Sequence, residues 1–173
     1  APLILGDSLV IMSAGKEIYA IEQTTGKIRW KYFVSDVTNI QVDELVTDGK
    51  KIYATHVEDI RAINISDGTQ AWLISMPSER GGFWTKHATV TNNKLYVAGY
   101  RTLYCINTEN GNVIWEKKLR DDRGLLGSPV SYNSDAVVGF GYGFDDSNKT
   151  IAGIISKIYK FDSNTGDTVW SMT

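Results

Sequence analysis

The chain has 173 residues, of which 42% are hydrophobic and 22% charged, a balance typical of a globular protein with a hydrophobic core rather than a disordered chain. Its 18 Lys and Arg residues against 20 Asp and Glu residues give a net charge of -2, so the chain lacks the basic excess with which proteins neutralise nucleic-acid phosphates. Its longest purely apolar runs, such as Leu3 to Leu5, are far shorter than a membrane span, and no Lys/Arg-led apolar segment has the form of a signal peptide. The chain opens on Ala1 rather than Met, which fits a processed chain and an excised fragment equally.

Residues 1–32 predict four short strands separated by tight turns, at 2–6, 9–12, 17–21 and 27–32. The β-rich run at 9–11 returns at 52–54 and again at 95–97, in steps of 43 residues. Turn residues bracket these runs at short intervals, which indicates strands rather than helices. We therefore predict no helix in the chain.

An eleven-residue stretch occurs four times, at 20–30, 62–72, 105–115 and 160–170. Each copy has Gly at its seventh place and Trp at its eleventh, and the glycines follow one another at intervals of 42, 43 and 55 residues. A period in the forties, with two strands meeting at a glycine turn, is typical of propeller blades. We predict an all-β fold, a β-propeller of four-stranded antiparallel blades, with four blades in one domain over 1–173: 1–32, 40–75, 88–119 and 128–172.

The repeat also predicts which residues are structural. The third strand of each unit has apolar residues on both of its faces, so both faces must be buried. A blade packed between two other blades buries both. The large rings at the eleventh place are predicted to pack between neighbouring blades. The predicted structural set is Trp30, Trp72, Trp115, Trp170, Gly26, Gly68, Gly111 and Gly166. The single cysteine, Cys105, falls at a place that two other copies fill with Ala, which indicates a buried core residue and excludes a disulfide framework.

The repeat resembles the tryptophan-docking repeat of the pyrroloquinoline quinone (PQQ) type, quinoprotein-like β-propellers, over the whole chain. The fourth copy departs from the pattern with Lys160 at the Ala place, and Asp67 and Asn110 precede the glycine in the second and third copies. The resemblance implies radial blades, usually seven or eight, as in quinoprotein alcohol dehydrogenases and in non-catalytic periplasmic or surface proteins. Four blades of this family make an arc with two apolar end faces, and such a surface marks an interface. We predict that two chains, or this chain and a missing second half, complete an eight-bladed ring; a closed four-bladed ring is the alternative.

Connections between strands that run outward from a propeller axis alternate between two faces. In this chain the first-to-second and third-to-fourth turns are short, whereas the other face carries longer, irregular segments at 34–39, 76–87, 120–127 and 142–153. Loops on a rigid scaffold carry function, so this irregular face is the predicted binding surface.

The link at 76–87 combines aromatic and basic residues of the kind that interface hot spots use. Trp84 is the only tryptophan outside the repeat, and it either fills the gap between blades two and three or contacts a ligand or partner. The predicted partner-binding residues of the irregular face are Arg80, Phe83, Trp84, Lys86, His87, His56, Tyr100, Arg101 and Arg123.

Blade four carries an insertion that the repeat spacing places around 142–153. It contains Asp145, Asp146 and Asn148, which have oxygen ligands for Ca²⁺ but lack the spacing of a known calcium loop, so we predict no metal site. Asn148 also opens an Asn-Lys-Thr glycosylation sequon, and such triplets often arise by chance.

The resemblance implies that a PQQ dehydrogenase site needs a bound calcium, an Asp base, an Arg on the quinone and commonly an adjacent cysteine pair. The cysteine pair is absent, and no spacing supports a Ser/His/Asp arrangement. We predict no cofactor and no catalysis, but an extracytoplasmic (periplasmic or cell-surface) scaffold. Its irregular face, or an exposed strand edge, would bind a protein or a polysaccharide. The alternative is a ligand-sensing or PQQ/Ca-binding fragment of a larger quinoprotein-like enzyme or receptor.

Overall fold

A computed structural model describes residues 2–6, 8–34, 42, 44–56, 59–75, 87–99, 102–119, 128–132, 136–141 and 157–172. These residues form sixteen β-strands and no helix, which confirms the predicted all-β class. Within the same ranges, no helix is long and apolar enough to cross a lipid bilayer.

The strands form four antiparallel sheets of four, each built from consecutive strands. Blade one holds β1 (Leu3–Leu5), β2 (Leu9–Ala14), β3 (Glu17–Glu22) and β4 (Ile28–Phe33). Blade two holds β5 (Glu44–Thr47), β6 (Lys51–Thr55), β7 (Asp59–Asn64) and β8 (Gln70–Ser75). Blade three holds β9 (Ala88–Thr91), β10 (Lys94–Ala98), β11 (Thr102–Asn107) and β12 (Val113–Lys118). Blade four holds β13 (Val130–Tyr132), β14 (Ala136–Gly141), β15 (Lys157–Asp162) and β16 (Thr168–Met172).

The eleven-residue repeat forms the hairpin between the third and fourth strands of each blade. In blade one the Gly26 N–H donates to the Glu22 carbonyl oxygen at 2.9 Å, and Gly26 has a φ of 68°, a left-handed conformation that glycine adopts without steric cost. The turn glycines of the other three blades repeat this hydrogen bond. The register then sets each Trp opposite the first residue of its repeat, and a bulge follows in every blade. All four indoles are thereby presented in the same register.

Each of the first three indoles docks on the hairpin of the following blade. The Trp30 N–H donates to the Ile65 carbonyl oxygen at 2.8 Å, and its ring lies on Gly68 so closely that a Cβ there would be 2.7 Å from the indole. Trp72 and Trp115 make the same contacts with the next two hairpins, and all three rings are only 8–9% exposed. Three buried clusters, each shared by two successive blades, surround these contacts. The blades therefore pack as successive wedges.

The fourth indole and the first hairpin do not form such a contact. Trp170 is 40% exposed, and a Cβ on Gly26 would have no atom within 4 Å. Blade four is therefore not docked on blade one, so the alternative of a closed four-bladed ring is wrong for this structure. The four blades form a partial propeller.

Alanine at Gly68 is expected to destabilise the protein more than alanine at Gly26. Both glycines have a left-handed φ, 75° and 68°, so both substitutions carry a backbone cost of about 1–2 kcal/mol. Only at Gly68 would the new methyl group also clash with the Trp30 ring, which adds about 1–3 kcal/mol. Urea unfolding of the two variants measures this difference, and equal losses would contradict the docking.

Candidate functional site

The two faces of the blade array differ in their connections. The hairpin face holds the turns between first and second strands and between third and fourth strands, while the loop face holds the other connections and the links between blades. Most of the predicted loop-face residues lie outside the described residues and stay predictions: Arg80, Phe83, Trp84, Lys86, Tyr100, Arg101, Arg123, Asp145, Asp146 and Asn148. The described part of the loop face consists of the strand ends, and His56 and His87 are among them.

Charged and polar side chains gather where blade two reaches the loop face. Glu44 begins β5, His56 follows β6 and Asp59 begins β7. Because adjacent strands are antiparallel, the starts of β5 and β7 and the end of β6 meet at one edge of the sheet. Together with Arg61 and with His87 at the start of blade three, these residues form what we call the loop-face cluster.

One half of the loop-face cluster lies between blades one and two. Arg61 donates two hydrogen bonds to Asp59, Nη2 to Oδ2 at 2.9 Å and Nε to Oδ1 at 3.3 Å, and the two residues are only 3% and 5% exposed. Arg61 Nη1 also donates to the Tyr32 hydroxyl of blade one at 3.2 Å. Burial disfavours the charge on Arg61, but the hydrogen bonds to Asp59 and Tyr32 outweigh burial and raise the pKa of the guanidinium. The pair thus ties blade two to blade one at the loop face.

His56 belongs to the same edge but not to the accessible surface. Its backbone N–H donates to the Asp59 carbonyl oxygen at 2.9 Å, which closes the turn between β6 and β7. The whole residue is only 4% exposed. A partner approaching the described residues would therefore meet the neighbours of His56 rather than His56 itself.

The other half of the loop-face cluster joins blades two and three. Glu44 Oε2 accepts a 2.6 Å hydrogen bond from the Ala88 N–H, and Oε1 lies 3.9 Å from His87 Nδ1. Thr55, which pairs with Glu44 in the sheet, is fully buried, and its hydroxyl has no hydrogen-bond partner among the described residues. The side chains of Glu44 and His87 are partly exposed, so this half of the cluster is open to a partner.

The stability of the protein should carry a pH dependence from Glu44. Burial raises its pKa above the ordinary 4.5, although the Ala88 hydrogen bond and His87 act in the opposite direction. A raised pKa favours the protonated carboxyl in the folded state, so its contribution is present below the unfolded-state pKa and is lost as pH rises through the folded-state pKa. Glu44→Gln should therefore gain stability relative to the parent protein as the pH rises through and above the ordinary carboxyl pKa of 4.5. Thermal unfolding across this range measures the gain, and parallel profiles would contradict it.

Within the described ranges, no group of three His, Cys, Asp or Glu side chains is arranged to hold a metal ion. Cys105 is buried between blades three and four, and burial raises the pKa of its thiol to about 11, which keeps it protonated and unreactive. The chemistry that the described loop-face cluster offers is ionic and hydrogen-bonded contact.

The four meander sheets, with indoles docked on glycine hairpins, define a β-propeller blade array. A model of the family described as outer membrane protein assembly factor BamB matches residues 1–79 and 56–173, which together span the chain. The chain belongs to this family of PQQ-type β-propellers. No curated protein matches the chain in a sequence comparison.

Solved structures of the same fold include both a BamB and quinoprotein dehydrogenases. BamB from Moraxella catarrhalis aligns with a TM-score of 0.71 at 16% identity, over 99% of this chain and 47% of its own. The quinohemoprotein alcohol dehydrogenase ADHIIG from Pseudomonas putida HK5 aligns with a TM-score of 0.72 at 14% identity, over 99% of this chain and 33% of its own. The quinohemoprotein alcohol dehydrogenase from Comamonas testosteroni gives 0.72 at 15% identity, over 100% and 34%. The chain thus spans less than half the length of these proteins.

Proposed function

We propose that the chain is a non-catalytic scaffold module that binds a protein through its loop face, outside the cytoplasm. The observation that carries this proposal is the loop-face cluster, which places a partly exposed carboxylate and imidazole, Glu44 and His87, where blades two and three meet. Polar groups held on strand ends are well positioned for recognition because the sheet fixes them before a partner arrives. The family description, an outer membrane assembly factor, supports a protein partner and an extracytoplasmic location.

The hairpin face provides the contrast that makes the loop face the better candidate. Its turns satisfy their polar groups internally: the Asn107 side chain accepts from the Glu109 N–H at 2.8 Å, and Asp162 accepts from the Asn164 N–H at 2.8 Å. Internally satisfied polar groups gain little from a partner, since binding would only exchange one hydrogen bond for another. The longer predicted links, with Arg80 and Trp84 in the one that ends at His87, add aromatic and basic anchors to the loop face.

Affinity capture from a cell-envelope extract tests this proposal when two double variants are compared with the parent protein. Arg80→Ala with Trp84→Ala alters the loop face, whereas Lys27→Ala with Lys50→Ala alters exposed hairpin-face residues and serves as the matched control. We expect the loop-face variant to lose the captured protein and the control to retain it. Equal capture by both would remove the loop face as the binding surface, and capture of polysaccharide alone would identify the other partner class.

The cofactor-binding alternative has its own test. A ligand that binds the folded state raises the melting temperature by mass action. We expect no shift when PQQ and Ca²⁺ are added together, since the described residues offer no metal-binding group of three. A concentration-dependent rise would contradict the scaffold proposal and identify a cofactor-binding domain.

We further propose that four more blades, those of a second copy or those of a missing second half of the protein, cover the end faces of blades four and one and close an eight-bladed ring. The two faces are complementary: Trp170 is an exposed indole in docking register, and Gly26 is a hairpin glycine with open space above it. The exposed Met172 beside Trp170 and the exposed Met12 on the first blade would be covered by the same contact.

Solution mass measured by light scattering tests the ring. We expect a species of twice the 19.2 kDa chain mass that dissociates on dilution. The Trp170→Ala variant should remain monomeric, because it removes the docking indole. A parent protein that is monomeric at every concentration would overturn the second-copy ring.

A further inference from the structure

One of the four hairpins carries an asparagine directly before its glycine. Asn110 precedes Gly111, and this is the single Asn-Gly pair in the sequence. Glycine has no side chain to shield its backbone nitrogen, so this nitrogen can reach the side-chain amide carbon of a preceding asparagine. The hairpin of blade three therefore contains both reacting groups of a spontaneous deamidation. The other hairpins have Thr25–Gly26, Asp67–Gly68 and Thr165–Gly166 at these places.

The reaction involves only two adjacent residues and water. The Gly111 nitrogen loses its proton and bonds to Cγ of Asn110, the bond from Cγ to the side-chain nitrogen breaks, and ammonia leaves with the proton. Water then opens the resulting succinimide ring at either of its carbonyl groups. The product is aspartate or isoaspartate, and in isoaspartate the main chain runs through the former side chain and is one atom longer.

The folded hairpin holds the nitrogen that would attack. The Gly111 N–H donates to the Asn107 carbonyl oxygen at 2.9 Å, and Gly111 is buried under the Trp72 ring, so closely that a Cβ there would be 3.0 Å from the indole. Asn110 is exposed, and its Oδ1 accepts a 2.9 Å hydrogen bond from the Asn112 N–H. The amide that would be attacked is thus open to water, while the attacking nitrogen is held by a hydrogen bond and by the docked ring.

The corresponding pair in blade two, Asp67 and Gly68, is less suited to the same reaction. Hydrogen bonds from Thr69 hold the pKa of the Asp67 carboxyl below its ordinary value, so this group is an ionised carboxylate in the folded protein at neutral pH. A carboxylate resists attack by a nucleophile, whereas the Asn110 amide is uncharged. Among the four hairpins, the one in blade three is therefore the most open to succinimide formation.

We infer that Asn110 is a deamidation site and that docking of Trp72 on Gly111 controls its rate. Because Gly111 reacts only after it leaves the indole and the Asn107 carbonyl oxygen, the rate follows the fraction of molecules in which blades two and three are undocked. Isoaspartate then makes the undocking permanent, since the longer main chain shifts Gly111 out of both contacts. This site requires neither a partner on the loop face nor further blades beyond the four.

Peptide mapping by mass spectrometry after incubation at mildly alkaline pH tests the control by docking. The parent protein is compared with Trp72→Ala and with a synthetic peptide of residues 107–115, since an isolated hairpin is at best marginally stable. We expect Asn110 to deamidate at least about tenfold more slowly in the parent than in the peptide, and Trp72→Ala to remove most of this protection. The comparison of parent and peptide needs no substitution, so it stands even if Trp72→Ala does not fold.

Trp115→Ala is the matched control for Trp72→Ala. Its indole is equally buried and docks on Gly166 of blade four, so its loss destabilises the protein in a similar way but leaves Gly111 covered. We expect Asn110 to deamidate within about threefold of the parent rate in this variant. Equal acceleration by the two substitutions would show that global unfolding sets the rate, and would overturn the control by docking. Equal rates in the parent and the peptide would overturn it as well.

A second measurement separates the added main-chain atom from the added charge. Asn110→Asp supplies the charge alone, and Asp67 shows that this hairpin accepts aspartate at the same place. We expect the melting temperature of Asn110→Asp to lie within about 2 °C of the parent value, and that of protein aged to isoaspartate at position 110 to fall by about 5 °C or more. An aged protein as stable as Asn110→Asp would overturn the permanent undocking.

Discussion

Replacement of Trp72 by alanine is expected to lower the free energy of unfolding by about 3–5 kcal/mol. The indole is buried between blades two and three, donates a 2.9 Å hydrogen bond to the Thr108 carbonyl oxygen and packs with Tyr53 at a ring-centroid distance of 5.7 Å. Its loss leaves a cavity and an unpaired carbonyl in the centre of the array. Urea unfolding followed by circular dichroism measures the effect.

Trp170→Ala is the matched control for this prediction. Trp170 occupies the same place in its repeat but is 40% exposed and docks on no hairpin in this chain, so its removal should cost less than about 1 kcal/mol in the monomer. The comparison is made at a concentration below that at which dimers form. Similar losses of unfolding free energy for Trp72→Ala and Trp170→Ala would show that contacts within a blade, rather than docking between blades, account for the stabilisation.

Replacement of Asp59 by asparagine should also cost about 3–5 kcal/mol, because it removes the carboxylate from a buried ion pair. Arg61 would keep its charge at a position only 3% exposed, next to the Tyr32 hydroxyl of blade one. The contact between blades one and two should loosen first. Native-state hydrogen exchange at the β4 and β7 amides, together with urea unfolding, measures both effects.

Simultaneous replacement of Asp59 and Arg61 tests whether Asp59→Asn destabilises the protein because the buried Arg61 charge loses the Asp59 carboxylate. Asp59→Leu with Arg61→Met removes both charges while it keeps apolar volume, and such replacements of buried pairs are often neutral or stabilising. We expect the double variant to recover most of the loss seen with Asp59→Asn. A double variant as unstable as the single one would show that the hydrogen bond to Tyr32 carries the contact.

Blade two differs from blade three in the charged residues that its third strand carries near the loop face. In blade two the first and third residues of the third strand are the ion pair Asp59 and Arg61, whereas blade three has Thr102 and Tyr104 at those places. Blade two is thus joined to both neighbours by polar contacts at the loop face, through Tyr32 on one side and Ala88 on the other. The contacts on the blade-three side hold His87 and Ala88, the point at which the link with the predicted anchors Arg80 and Trp84 ends.

Prediction from sequence succeeded where the signal was local and repeated. The hairpins with Gly26, Gly68, Gly111 and Gly166 depend on turn conformation, which a few neighbouring residues determine. Side chains ahead of the turns form hydrogen bonds within the hairpins: Asn107 and Asp162 accept from turn amides. The Asn64 side-chain amide donates to the Thr69 hydroxyl at 3.0 Å. Side-chain direction in a turn depends on its neighbours, which the repeat pattern does not show.

The amino-acid sequence by itself determined the all-β class and the blade period, because alternation, glycine turns and repeated tryptophans are encoded within about ten residues of one another. The tertiary structure decided between an open and a closed four-bladed array, since only packing shows that Trp170 is exposed and that Gly26 has open space above it. Only the tertiary structure decided which polar residues meet. Arg61 reaches Tyr32, and Glu44 reaches Ala88, across blade boundaries that separate them in the chain by 29 and 44 positions. Burial of His56 was decided in the same way, since a strand end becomes exposed or covered only when neighbouring blades pack against it.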